Sequence, residues 1–325
     1  MRIVDVTAPG GPENLTIAEA PVPTAGPGEL VIAVTAAGIN RADLLQRQGF
    51  YPPPPGASEV IGLEVSGHVH EIGDGVTGWT VGDPCVALLA GGGYAEYVAL
   101  PAGQAIAPPP GIDLITAAGV IEVAATVASN FEHVRLSEGE TVLIHGGAGG
   151  IGTFAIQYAR ALGARVLTTA GSPAKLELCR SLGADVAIDY HDDWPAAVRA
   201  ATDGRGVDVI LDVMGAKYLE PNVAALAPDG RLVVIGLQGG RKGTLDLNRL
   251  LTKRATVTAT SLRGRPVEQK AAIARSVAER VWPLIASGQI KPAPETRFPL
   301  EQVAEAHRYL ESGEHTGKVI LVVRD

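Results

Sequence analysis

The run Val142-Leu143-Ile144-His145 breaks into Gly146-Gly147-Ala148-Gly149-Gly150-Ile151-Gly152, and Gly147, Gly149 and Gly152 are spaced as G-x-G-x-x-G. Each missing side chain has a task in that spacing. The first glycine permits a tight turn, the second lets a pyrophosphate approach the backbone, and the third lets a helix pack closely on a strand. The chemistry is dinucleotide binding, with the phosphates at a helix N-terminus among free N–H groups. Glycines at this spacing also suit an ordinary strand-to-helix loop. Here a strand precedes them, and Ile151 to Leu162 carries helical apolar spacing closed by Gly163, which favours the dinucleotide.

The next strand, Arg165-Val166-Leu167-Thr168-Thr169-Ala170, ends where NAD readers place an acid on the ribose 2′-hydroxyl, about 20 residues on. No acid stands there. Gly171, Ser172 and Lys175 offer a small loop, a hydroxyl and a cation, a set suited to a 2′-phosphate and therefore to NADPH. Ser172 followed by Pro173 also reads as an N-cap with proline at the first helical position, and the two roles are compatible.

These residues need a scaffold that presents strand ends. From about 119 to 258 strands and helices alternate: strands at 141–145, 165–170, 186–190, 207–213 and 231–236, and helices at 151–162, 173–182, 194–202 and 217–226. That pattern implies an α/β, doubly wound parallel sheet, and its nearly continuous apolar strands are those of a sheet covered on both faces. Residues 1–118, rich in Gly, Pro and short β-like runs, read as a mainly β domain. Residues 259–325 hold the end of a strand-like run at 256–262, a long helix at 266–286 and a closing strand at 318–323. A chain of 325 residues exceeds what one core usually serves.

A net charge of −8 disfavours a nucleic-acid surface. The N-terminus begins directly as a strand, with no apolar leader, and no run reaches membrane-spanning length, so a cytoplasmic protein without a membrane partner is expected. Cys85 and Cys179 read as inert core thiols. His68 and His70 share a strand face without an evident third ligand, and two cysteines cannot build a four-cysteine zinc lobe.

Ordered along the chain are Ala37-Gly38-Ile39-Asn40-Arg41-Ala42-Asp43, Gly49-Phe50-Tyr51-Pro52-Pro53-Pro54, Gly62-Leu63-Glu64-Val65-Ser66-Gly67, Gly92-Gly93-Tyr94-Ala95-Glu96-Tyr97, the glycine loop, Ala304-Glu305-Ala306-His307 and Thr316-Gly317-Lys318. In these the chain resembles the zinc-free quinone oxidoreductases of the medium-chain dehydrogenase/reductase superfamily, the zeta-crystallin group, and within it the subgroup of the tumour-suppressor-inducible quinone reductase. The resemblance implies a GroES-like catalytic domain, made of the first segment and the C-terminal return, with a Rossmann cofactor domain between them. It implies Asn40 and Tyr51 on the substrate side. Along the cofactor it implies Thr126 near the nicotinamide, Tyr190 beside the 2′-phosphate, Gly236 with Leu237, and Ser261, Leu262 and Arg263 at the nicotinamide end. Tyr190 also reads as simple edge packing and Arg263 as a surface ion-pair partner. Ala148 lacks the hydroxyl that close relatives often carry in the loop.

Zinc-dependent relatives place a cysteine in the segment matching 38–43 and a histidine before the glutamate of the stretch at 62. Here Asn40 and Leu63 stand there, so no metal is expected. Without a Lewis acid the acceptor must already be electrophilic, as a quinone or conjugated enone is. The expected activity is zinc-independent transfer of reducing equivalents from NADPH to a small-molecule quinone. Alternatives are an enone or 2-alkenal double-bond reductase and a non-catalytic NADPH-sensing RNA-binding or structural protein. Family analogy adds a homodimer pairing through the strand around 256–262.

Overall fold

The computed structural model describes residues 1–324. The chain divides into two compact units: Met1–Ala125, Leu262–Gly288 and the residues from Pro292 onward form one, and Thr126–Ser261 with Gln289–Lys291 the other. The first unit runs to Ala125 rather than ending at 118, because the backbone N–H of Glu122 is tied to Glu64 of that unit at 2.9 Å. The second runs to Ser261 rather than 258.

The first unit is built on a seven-stranded sheet. Its axis is Glu29–Ile39, a strand long enough to serve several partners. The first half pairs with Tyr97–Pro101 and the second half with Lys318–Val322 near the C-terminus, while Glu64–Ile72 runs alongside. A register shift between Val34 and Ala36 bends the ladder between the halves. Leu30, Ile32, Val34, Val65, Val69, Val319 and Leu321 fill the core beneath. The register matters for chemistry: Val319 lies opposite Ile39 and Val65 opposite Ala37, which brings Lys318, Asn40 and Glu64 to one place.

The second unit is a six-stranded parallel sheet. In spatial order its strands are Val186–Asp189, Arg165–Ala170, Thr141–His145, Val207–Asp212, Leu226–Val234 and Thr256–Ala259. Numbered along the chain that order is 3-2-1-4-5-6, the doubly wound dinucleotide-binding arrangement, whose ligands bind at the strands' carboxyl ends where the order reverses. The reversal falls between Thr141–His145 and Val207–Asp212. His145 is wholly buried there between Trp194 and Tyr218. Its Nε2–H donates to Asn222 Oδ1 at 2.7 Å and its Nδ1 accepts from the Thr169 hydroxyl, while burial pushes its pKa down to about 4.

Several elements differ from the expected ranges. The fifth strand of the parallel sheet covers Leu226–Val234 rather than 231–236. The strand at 256–262 stops at Ala259. The helix at 266–286 is two helices, Val267–Arg280 and Trp282–Ala286, since Pro283 lacks the N–H that would continue the first.

Candidate active site

Asn40 is the N-cap residue of the helix Arg41–Arg47, where its side chain would ordinarily accept a helical N–H. Asn40 and Asp43 form a capping box at the helix start, in which Asp43 Oδ2 accepts the Asn40 N–H at 2.7 Å, and the Asp43 N–H also reaches the Asn40 backbone carbonyl at 3.0 Å. The carboxamide also contacts the sheet: Lys318 Nζ donates to its Oδ1 at 2.8 Å, and its Nδ2 donates to Glu64 Oε1 at 2.9 Å. Lys318 and Glu64 are themselves paired at 2.7 Å, with side chains 7% and 0% exposed. Glu64 Oε2 accepts the Glu122 N–H. Gly38 makes room for this carboxylate, since a Cβ there would lie 2.3 Å from Glu64 Oε1.

A second buried line of hydrogen bonds supports the same helix. Asp43 Oδ2 accepts the Asn40 backbone N–H at 2.7 Å and the Tyr94 hydroxyl at 3.1 Å. Arg47 donates to His307 Nδ1 at 3.3 Å, so His307 carries its proton on Nε2 and donates it to Tyr94 Oη. Every donor in the line points toward Asp43. Burial pushes the Asp43 carboxyl up to about 7, against the hydrogen bonds from Asn40 and Tyr94 that favour its ionised form. Burial, aided by the Arg47 guanidinium, pushes His307 down to about 3 and holds it neutral.

Past this helix, Gly49 at φ +79° turns the chain and sends Tyr51 into the Pro52–Pro55 loop. Arg263, expected along the cofactor, is 5% exposed and hydrogen-bonds to this loop. Its Nε donates to the Ala90 carbonyl, NH1 to the Tyr51 carbonyl at 3.1 Å and NH2 to Gln46 Oε1 at 2.7 Å. The guanidinium also lies over the Tyr51 ring, 5.2 Å from its centroid. Leu262 belongs to this unit, whereas Ser261 is the last residue of the other's main segment.

In the parallel-sheet unit the glycine loop follows Thr141–His145 and leads into the helix Gly150–Ala161. A Cβ at Gly152 would lie 2.2 Å from the Gly146 carbonyl oxygen, and one at Gly147 2.1 Å from Thr168 Oγ1. A Cβ at Gly149 would find its nearest neighbour only at 3.6 Å, so the backbone is open on that side. Gly149 is the helix N-cap and supplies no side-chain cap. The leading N–H groups are thus left for an outside acceptor, a set that fits a pyrophosphate. Ala148 is buried in the loop, and Gly150 and Ile151 open the helix.

The neighbouring strand ends carry the groups expected around a 2′-phosphate. Ala170 and Asp189 are in register, bringing Gly171, Ser172 and Lys175 beside Tyr190. A Cβ at Gly171 would lie 2.3 Å from the Tyr190 hydroxyl, and Tyr190 remains 43% exposed. Ser172 accepts the Lys175 N–H as N-cap, so its capping role is real. Beyond the reversal, Gly236 and the exposed Leu237 follow the fifth strand. Asp212 shapes the preceding turn by accepting the N–H groups of Met214 and Gly215, both at 2.8 Å. Thr126 is buried in the helix Ile121–His133, its carbonyl accepting from Asn130.

The sequence reading named Asn40 and Tyr51 but not Glu64, Lys318, Asp43, Tyr94 or His307 as parts of a site. All five lie in the quoted motif stretches, which was the available signal. Among the described residues, no group of three or more His, Cys, Asp or Glu side chains could hold a metal ion.

Residues 26–111 match the alcohol dehydrogenase GroES-like domain and residues 150–278 the zinc-binding dehydrogenase family. A quinone oxidoreductase of Pseudomonas aeruginosa is 33% identical over 323 residues, 98% of each chain. The chain belongs to the quinone oxidoreductase-like branch of the medium-chain dehydrogenase/reductase superfamily. Within that branch it is an oxidoreductase, with a GroES-like unit and a Rossmann unit. The Escherichia coli quinone oxidoreductase complexed with NADPH superposes with a TM-score of 0.91 at 29% identity, covering 99% of this chain and all of that one. CurK enoyl reductase gives 0.87 at 27%, covering 99% and 98%. The phthioceranic/hydroxyphthioceranic acid synthase of Mycobacterium tuberculosis is 35% identical over 328 residues, but this chain spans only 15% of its length.

Proposed function

We propose that this oxidoreductase reduces quinones with NADPH, without a metal. The observation that carries the reading is the Asn40 carboxamide, held with its Nδ2 toward Glu64 and its oxygen toward Lys318. Bound NADPH supplies a hydride, that is two electrons and a proton. A second proton, taken from water, completes a hydroquinone. The chain's part is to orient and to donate. The N–H groups at Gly150–Ala161 receive the pyrophosphate, and Ser172, Lys175 and Tyr190 receive the 2′-phosphate. Asn40 and Tyr51 offer an amide N–H and a phenol to the acceptor oxygen on which charge develops.

A 2-alkenal or enone double-bond reductase is the second reading, and the likeness to CurK enoyl reductase supports it. That reaction needs a proton at carbon rather than at a remote oxygen. Following NADPH oxidation with an ortho-quinone, a para-quinone and a 2-alkenal in parallel separates the two. Fast quinone turnover with kcat/KM lowered about tenfold in Tyr51→Phe is the expected result; a strong alkenal preference favours the second reading. NADPH binding without turnover on any acceptor, joined to salt-sensitive RNA binding, indicates a sensor.

A homodimer completes the reading. Thr256–Ala259 is an edge strand of the parallel sheet, and Leu247 and Leu251, one helical turn apart nearby in the chain, are 66% and 76% exposed. A monomeric mass at micromolar concentration would remove that part of the proposal. Among the described residues no helix is long and apolar enough to cross a membrane.

A further inference from the structure

A carboxamide has two ends of nearly equal size, one accepting and one donating. At Asn40 the surroundings choose between them. Lys318 has only protons to give, so it takes Oδ1; the Glu64 carboxylate has only lone pairs, so it takes Nδ2. One Nδ2–H is used on Glu64, and the second is left for a ligand. Reversing the amide would set oxygen against carboxylate and N–H against ammonium, so the pair locks one orientation.

Stability alone is a poor account of this arrangement. A buried ion pair is often no better for folding than apolar residues of the same volume. The space for it also depends on two glycines: a Cβ at Gly38 would strike Glu64 Oε1, and one at Gly119 would lie 3.2 Å from Lys318 Cε. Glu64 is further fixed by the Glu122 N–H at the start of the helix Ile121–His133.

We infer that Lys318 and Glu64 are positioning residues that hold the Asn40 amide with one N–H directed to the acceptor oxygen. This inference rests on the role of Asn40 proposed above. It makes the ion pair a determinant of turnover while leaving NADPH binding to the other unit.

The test is the paired replacement Glu64→Gln/Lys318→Met, which removes both charges together and leaves no lone buried ion. The oxygen of the new side-chain amide is drawn to the fixed Glu122 N–H, so its NH2 faces Asn40, whose own amide loses its preferred orientation. Asn40→Ala, the paired variant, their combination and Lys318→Arg are compared with wild type. The expected loss in acceptor kcat/KM is about tenfold or more for the paired variant, with NADPH affinity within about twofold, no further loss when combined with Asn40→Ala, and substantial recovery in Lys318→Arg. Losses that multiply in the combined variant would overturn the inference. So would an unimpaired paired variant.

Side-chain amide NMR of selectively 15N-labelled asparagine supplies a reading that needs no acceptor. Asn40→Ala identifies the resonance, and its two protons are expected to exchange slowly and unequally in wild type and to average in the paired variant. Unchanged exchange overturns the inference. Absent turnover on every acceptor, with the NMR difference intact, instead overturns the assigned reaction.

Discussion

The candidate sites of the two units are built by opposite means. In the parallel-sheet unit the proposed cradle consists of backbone, shaped by the side chains missing at Gly147, Gly149 and Gly152. In the GroES-like unit the candidate site is a buried polar scaffold: Asn40 held by Glu64 and Lys318, with Asp43, Tyr94, His307 and Arg47 beneath. A backbone cradle suits a ligand whose phosphates do not change during reaction. A donor aimed at an oxygen that gains charge must keep one orientation in a medium of low polarity, and that requires charges nearby. The first kind of site should be harmed by adding atoms, and the second by removing them.

The largest expected effect comes from removing one charge alone. Lys318→Met leaves the Glu64 carboxylate buried without its counter-ion, and urea unfolding should show a loss of about 3–5 kcal/mol. Glu64→Gln/Lys318→Met should recover most of it. Equal losses in both variants would mean that packing, not charge, governs this region.

Adding a single methyl group tests the other unit. In Gly152→Ala the new atom meets the backbone of Gly146 and Gly147, which cannot swing away as a side chain could. NADPH affinity, measured by nucleotide fluorescence, should fall about 30- to 100-fold, equivalent to about 2–3 kcal/mol of overpacking. Affinity within twofold of wild type would refute the cradle's tightness.

Acid sharpens the comparison further. His145 is held neutral, with its pKa lowered from 6.5 to about 4, so its contribution is present above pH 6.5 and is lost as pH falls toward 4. Asp43 has the opposite sign: its pKa is raised from 3.8 to about 7, so its contribution is present below pH 3.8 and is lost as pH rises through 7. His307, lowered to about 3, opposes Asp43 within the GroES-like unit. In His145→Gln the stability difference between pH 7 and pH 4.5 should therefore shrink by on the order of 2 kcal/mol. An unaltered difference would place the acid sensitivity elsewhere.

The smallest effect concerns one partly buried cation. Lys175→Ala should weaken NADPH about tenfold and leave NADH unchanged in kcat/KM, consistent with loss of a charge-assisted contact. An equal effect on both cofactors would assign the lysine to the helix rather than to the phosphate.

Much of the parallel-sheet unit was legible because its signals are local. Strand, glycine turn and helix follow one another within 141–161, so apolar periodicity and glycine spacing fall inside a single window. The same locality explains the errors at element ends. Pro283 breaks the long helix through one missing N–H, a single-residue signal inside an otherwise helical pattern.

By itself the sequence determined the alternating αβ plan, the glycine loop and the absence of an acid after the second parallel strand, all properties of neighbouring residues. Tertiary structure alone decided that Asn40 meets Glu64 and Lys318, that Arg263 anchors the Tyr51 loop and that His307 reaches Tyr94. Lys318 and Glu64 stand 254 residues apart, and His307 and Tyr94 213 apart. No periodicity spans such distances. The meeting of Lys318 with Glu64 follows from strand register, which is set when Lys318–Val322 pairs against Glu29–Ile39 so that the apolar faces of both enter one core.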